Sequence, residues 1–126
     1  MKLFIRYIFL LSFFATSIVM ADTTSFSQST FDGLQKEGRP VLVHIHANWC
    51  PTCRVQTNII SSLLKEDDFK NITSLRVDFD NQKDVVRAFK ASQQSTLIIF
   101  SNGKEVGRNI GNTSSNGIEK LLRKAL

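Results

Sequence analysis

The chain has 126 residues, 42% of them hydrophobic, which is enough for one packed core but not for two. With 6 Gly and 2 Pro, collagen-like and linker-rich classes are excluded, and this hydrophobicity excludes disorder. The 16 Lys plus Arg exceed the 11 Asp plus Glu by five charges without forming a basic block, so no nucleic acid partner is expected, and 2 Cys are too few for a disulfide-stapled miniprotein.

At the N-terminus Lys2 and Arg6 precede an uncharged stretch rich in Phe, Leu and Ile, from Ile8 to Met20. Val19-Met20-Ala21 then ends in a small residue before Asp22-Thr23-Thr24. Positive start, apolar middle and small residue at the cut predict a secretory signal peptide over 1–21, cleaved after Ala21. The competing reading is an uncleaved anchor, but the apolar run is shorter than the roughly 20 residues a membrane span needs. The mature domain, 22–126, is therefore expected outside the cytosol, without stable membrane insertion, where thiols are not kept reduced.

Along that domain, Phe26, Phe31 and Leu34 have loose helical spacing from Ser25 to Lys36, stopped by Gly38-Arg39-Pro40. Val41 to His46 is a β-rich run with apolar residues on both faces, as in a central strand. After Trp49-Cys50-Pro51-Thr52-Cys53, the residues Val55, Ile59, Ile60, Leu63 and Leu64 recur at helical intervals. Leu75, Val77 and Phe79 alternate with Arg76 and Asp78 as a strand. A helix over Val85, Val86, Ala88 and Phe89 has Asp80 or Asn81 available as its cap. Thr96 to Phe100 predicts a strand, Asn102-Gly103 a tight hairpin turn, and Glu105 to Ile110 the returning strand. Ile118, Leu121, Leu122 and Ala125 predict a last helix capped by Ser114 or Ser115. A βαβ half followed by a ββα half makes a mixed sheet with helices on both faces, an α/β fold.

Cys50 and Cys53 lie three apart at a strand-to-helix junction. Pro51 suits the first helical turn, where its missing N–H costs nothing. That position puts Cys50 at the helix N-terminus, where unpaired N–H groups and the macrodipole favour a thiolate, hence a nucleophile. Cys53, one turn further in, is expected to be the more buried, resolving thiol. Inert buried cysteines, a structural disulfide closing a very short loop, and a zinc ribbon lacking its second cysteine pair are the weaker readings.

The run from Val41 to Arg54 resembles the active-site strand and helix of the thioredoxin family. The likeness continues through Leu75-Arg76-Val77-Asp78, Thr96 to Phe100, Asn102-Gly103 and Gly111. The resemblance implies a thioredoxin-like fold, with Cys50 as nucleophile, Cys53 as resolving thiol, and Trp49 as a flat neighbour shielding the site. The Pro51-Thr52 pair is similar to that of the thioredoxin-like reductases of cytochrome c maturation, which usually carry an inserted segment not found here. This pair lacks the histidine found between the cysteines of the family's strong oxidants, which favours a reductase.

Two positions depart from the family pattern. His44 stands six residues before Cys50, where thioredoxins place a buried acid that helps move the resolving thiol's proton. One reading has His44, kept neutral and basic by burial, accept that proton; the other makes it a core residue with a satisfied ring. Ser95, in Ser95-Thr96-Leu97, replaces the family's cis-proline. A non-proline cis bond costs about 3 kcal/mol, so a trans Gln94–Ser95 bond and a reshaped loop beside Cys50 are expected.

Asn48 and Arg54 flank the motif as rim residues, Arg54 being also placed for Coulombic support of a thiolate. The function expected is reductive thiol–disulfide exchange on protein disulfides in the periplasm, in cytochrome c maturation or more generally. No organic cofactor is required, and electrons would come from a membrane-embedded donor. The alternative is a metal-binding or metal-delivery protein, because Cys50 and Cys53 with His44 and His46 suit zinc or copper(I) by ligand softness.

Overall fold

The computed structural model describes residues 23–126, so the expected signal peptide over 1–21 lies outside the described residues. In chain order the elements are β1 (Thr24–Ser25), α1 (Gln28–Lys36), β2 (Val41–His46), α2 (Pro51–Leu63), β3 (Thr73–Asp78), α3 (Lys83–Ala88), β4 (Thr96–Ser101), β5 (Lys104–Ile110) and α4 (Ser115–Arg123). They form a five-stranded sheet in the order β1-β3-β2-β4-β5. β2 pairs parallel with β3 and antiparallel with β4, so every residue of this central strand is buried.

Side-chain alternation along β2 divides the core into two layers. Leu42 joins Leu97 and Ile99 under α2 and α4, with Ile60, Leu63, Ile118 and Leu122. Val41, Val43 and Ile45 face the other way, towards Phe31 of α1 and Val86 of α3. The second layer is rich in rings: Phe31 meets Phe89 and Phe100 edge-on at 5.3 and 5.2 Å between centroids, a favoured aromatic geometry.

The first helix begins later than its apolar spacing suggested. Ser27 is its N-cap and accepts the N–H of Thr30, while Phe26 precedes it and donates its N–H to Arg76. The two residues of β1 are too short to show any periodicity. The expected cap of α3 is corrected as well. Gln82 occupies the N-cap position, and the Asp78 carboxylate instead takes the N–H groups of Asp80 and Asn81, closing the turn before the helix. Within α2, Val55 is 44% exposed and Gln56 is fully buried, the reverse of the expected apolar stripe.

The hairpin is as expected, with φ of +52° at Asn102 and +78° at Gly103, both positive as a type I′ turn requires. Among the described residues there is no cis peptide bond, so Gln94–Ser95 is trans as expected. Ser114 caps α4 by accepting the N–H of Gly117 at 3.0 Å. Replacing Ser114 with Ala leaves that N–H without its side-chain acceptor and is expected to lower stability by about 1 kcal/mol, read as a reduced urea midpoint at unchanged m-value.

Candidate active site

The chain leaves β2 through Ala47 and turns into α2 at Cys50, with Pro51 in the first helical position. Cys50 has an extended backbone (φ −88°, ψ 112°), and its Sγ accepts the N–H of Cys53 at 3.1 Å. A sulfur thus takes the place usually held by a Ser, Thr or Asp oxygen at a helix N-cap. That acceptor role strengthens when the sulfur is an anion, because charge-assisted hydrogen bonds are the stronger ones.

Both cysteines are buried free thiols, yet their environments separate them. For Cys50, burial pushes the pKa up, but the Cys53 and Ser95 side chains and the backbone N–H groups of Cys53 and Thr52 outweigh it, so the thiol is held below its ordinary value. For Cys53, burial and the hydrogen bond with Cys50 together push the thiol up, against a smaller opposing pull from Ser95. Thr52 is half-buried and acts through its backbone N–H, whereas Pro51 is exposed and contributes the helix start.

Ser95 comes from the loop before β4. Its hydroxyl is 3.1 Å from Cys50 Sγ and 3.0 Å from Cys53 Sγ. Its backbone has φ +62°, its N–H donates to Ile45, and its carbonyl accepts from Gly111 and from the Gln56 amide. The loop expected to be reshaped is therefore pinned directly against both sulfurs. Thr96, also buried, turns its hydroxyl back to the Gln93 carbonyl at 2.7 Å and so shapes this loop rather than contacting a cysteine.

Behind Ser95 lies Gln56, a residue the sequence reading did not single out. Its Nε2 donates to the carbonyls of Ser95 (3.1 Å) and Asn112 (3.0 Å), which leaves Oε1 as the acceptor facing His44 Nε2 at 3.1 Å. This network assigns the His44 proton to Nε2. Burial first, then the positive fields of His46 and Arg76, lower the His44 pKa to about 3, against a weaker upward pull from Gln56. The expectation that burial would keep this ring basic is thereby corrected. Transfer of a proton from a thiol pushed above its ordinary value to a ring held so far below its own is uphill. His44 is a core residue with a satisfied ring.

The ring of His46 meets that of His44 edge-on at 5.3 Å. Among the described residues no group of three or more His, Cys, Asp or Glu side chains is placed to hold a metal. His44, His46, Cys50 and Cys53 are thus not assembled as a ligand set; His44 Nε2 instead meets Gln56, and both sulfurs meet Ser95.

Trp49 is 57% exposed beside Cys50, and its indole N–H donates to Asp80 at 2.8 Å. Asp80, expected only as a helix cap, takes this role instead, and no local sequence signal could pair it with a tryptophan 31 positions away. Asn48 and Arg54 line an open concavity of ≈340 Å³ with His46 and Arg76, as rim residues do. The forces that lower the Cys50 pKa are hydrogen bonds from Cys53, Ser95 and Thr52 rather than a guanidinium field.

The family model described as Thioredoxin matches residues 20–124. The chain is 32% identical over 100 residues to the thioredoxin of Chlamydia trachomatis, covering 79% of this chain and 90% of that one. It is 38% identical to Trxlp from Edwardsiella tarda, whose crystal structure superposes with a TM-score of 0.78 over 80% of this chain and 98% of that one. The thioredoxin of Schistosoma mansoni, at 22% identity and a TM-score of 0.71 over 85% and 98% of the two chains, shares the fold.

The His44 environment has a measurable consequence. Its folded pKa of about 3 lies below the ordinary value of 6.5, so between those values the unfolded chain binds a proton that the native protein does not. Stability is complete above about pH 6.5 and is lost as the pH falls through that window. Urea unfolding near pH 5 is expected to give about 2 kcal/mol less stability than near pH 7.5. His44→Leu, less stable at both values, is expected to remove most of the difference; an unchanged difference would assign the pH dependence to other groups.

Proposed function

The chain belongs to the thioredoxin family and is a thiol–disulfide oxidoreductase, and on that premise we propose that Cys50 is the attacking sulfur and Cys53 the resolving one. The observation that carries this assignment is the hydrogen-bond asymmetry at the helix start. Cys50 Sγ receives the Cys53 N–H and is held below its ordinary pKa, whereas the Cys53 thiol is pushed up. Of the two sulfurs, Cys50 is then the one that forms its thiolate more readily, and Cys53 the one that holds its proton longer.

The Cys50 thiolate attacks a protein disulfide, R–S–S–R′, forming a Cys50–S–S–R′ bond and releasing R–S⁻. Cys53 then attacks the Cys50 sulfur, forming the Cys50–Cys53 disulfide and expelling the R′ sulfur. The Cys53 proton ends on a released substrate sulfur. The protein pair is oxidised by two electrons and the substrate disulfide is reduced. Trp49, anchored through Asp80 and exposed beside Cys50, offers a flat apolar surface for the approaching polypeptide.

The working direction proposed is reduction, and the working compartment the bacterial cell envelope. Support for the compartment comes from the positive, apolar and small-residue order of residues 1–21, which reads as a cleaved secretory leader with 22–126 as the mature domain. Support for the direction comes from the Pro51-Thr52 pair, which carries no histidine between the cysteines. Substrates in that compartment would be proteins with oxidised cysteine pairs, apocytochrome c among them, and a membrane-embedded dithiol donor would regenerate the reduced pair.

The assignment is tested by alkylation and trapping. Iodoacetamide titration of the reduced protein is expected to give Cys50 a midpoint below the ordinary value of about 8.5. Cys50→Ser is expected to return insulin reduction by dithiothreitol to the uncatalysed rate, and Cys53→Ser to accumulate mixed disulfides at Cys50. An ordinary midpoint together with no trapped disulfide, in folded protein, would overturn the assignment.

A further inference from the structure

We propose that the Ser95 hydroxyl is a catalytic group that serves the two sulfurs in turn, donating its hydrogen bond to Cys50 before attack and to Cys53 during resolution. The inference deepens the exchange reading above and rests on it. Its geometry is unusual in one respect: a single buried oxygen lies within 3.1 Å of Cys50 Sγ and 3.0 Å of Cys53 Sγ.

The oxygen is held by its own backbone. The Ser95 N–H donates to the Ile45 carbonyl at 2.8 Å, and the Ser95 carbonyl accepts from Gly111 at 2.9 Å and Gln56 at 3.1 Å. With the main chain fixed on both sides and the oxygen seated between the sulfurs, rotation about the Cβ–Oγ bond is enough to redirect the proton. The φ of +62° is one that favours glycine, yet a side chain is present. What that side chain adds is the hydroxyl between the sulfurs.

A hydroxyl has one proton to donate and two lone pairs to accept with. With Cys50 as the thiolate, the Ser95 O–H donates to Cys50 S⁻, and the Cys53 S–H, shared between that anion and Ser95 Oγ, extends the chain. Each bond in such a chain strengthens the next, and the one ending on the anion is the strong one. Once Cys50 has attacked, its sulfur is a neutral disulfide atom and a weak acceptor. The developing charge is then on Cys53, and the hydroxyl reaches it by rotating about its C–O bond with no heavy atom moving.

Ser95 keeps its proton throughout. The Cys53 proton leaves with the substrate thiols, and the bonds made and broken are those of the exchange itself. His44 takes no part, since its ring is bonded to Gln56 and too weakly basic. Cys50 and Cys53 are the titrating groups that share the hydroxyl.

The reaction of the reduced protein with 5,5′-dithiobis(2-nitrobenzoate) separates the two steps. The first thionitrobenzoate released reports attack by Cys50, and the second reports resolution by Cys53. Ser95→Gly removes the hydroxyl and suits the positive φ; Ser95→Ala removes it with a different backbone preference. Both variants, shown to be folded by near-ultraviolet circular dichroism, are expected to raise the Cys50 alkylation midpoint by about one pH unit. Both are also expected to slow the second release about tenfold at neutral pH, the usual scale of a hydrogen bond to a charged group.

A second release as fast as wild type in the glycine variant would overturn the two-sulfur role, even with a shifted midpoint. Slowing in the alanine variant alone would trace the effect to backbone strain and overturn it too. The wild type gives an independent reading by NMR: alkylating Cys50 to its S-methyl thioether, which Cys53 cannot resolve, should shift the Ser95 hydroxyl proton while keeping it protected from exchange. Loss of that protection would overturn the second step. A wild type that releases no thionitrobenzoate would instead count against the exchange reading itself.

Discussion

The structure depends on one arrangement, a sulfur used as the N-cap of a helix. Cys50 occupies the position at which α2 would otherwise leave backbone N–H groups without partners, and it satisfies the one from Cys53. The same bond that starts the helix lowers the energy of the sulfur's anion, so folding and activation share a single contact. Burial opposes the anion at both cysteines. The outcome at each is decided by how many donors reach it, and Cys50 has more of them because it lies at the open end of the helix while Cys53 is one turn inside.

Next to this contact one position on the otherwise apolar buried face of α2 is polar. Gln56 occupies a fully buried position beneath the second cysteine, and its amide is satisfied by the His44 ring and the carbonyls of Ser95 and Asn112. A buried amide with partners for both its oxygen and its nitrogen orients its neighbours. Here it ties β2, the loop before β4 and the approach to α4 to the same helix. The histidine at the position of the family's acid is therefore part of the frame, and its ring is kept neutral by the burial that makes it a poor base.

Much of this was legible in the chain. The strand Val41–His46, the Asn102-Gly103 turn and the Ser114 cap appear in the structure where spacing and residue type placed them. The fold class follows from the same order of elements. The short β1, the Gln82 position at the start of α3 and the exchange of Val55 for Gln56 on the buried face did not follow. A two-residue strand has no period to read. A buried glutamine contradicts the apolar rule until its partners, 12 to 56 residues away, are known. Asp80 under Trp49 is hidden for the same reason.

The sequence by itself determined which atoms would carry the chemistry, because Cys50, Pro51 and Cys53 are local neighbours and a helix start needs only a few consecutive residues to be specified. The tertiary structure decided how those sulfurs differ and what the nearby polar residues do. Ser95 lies 45 positions from Cys50 and 42 from Cys53, so its place between them exists only once β4 has paired beside β2. Likewise the acidity of His44 is a property of the dry, positively biased space that the packed layers create around it, and spacing along a chain carries no record of local dielectric.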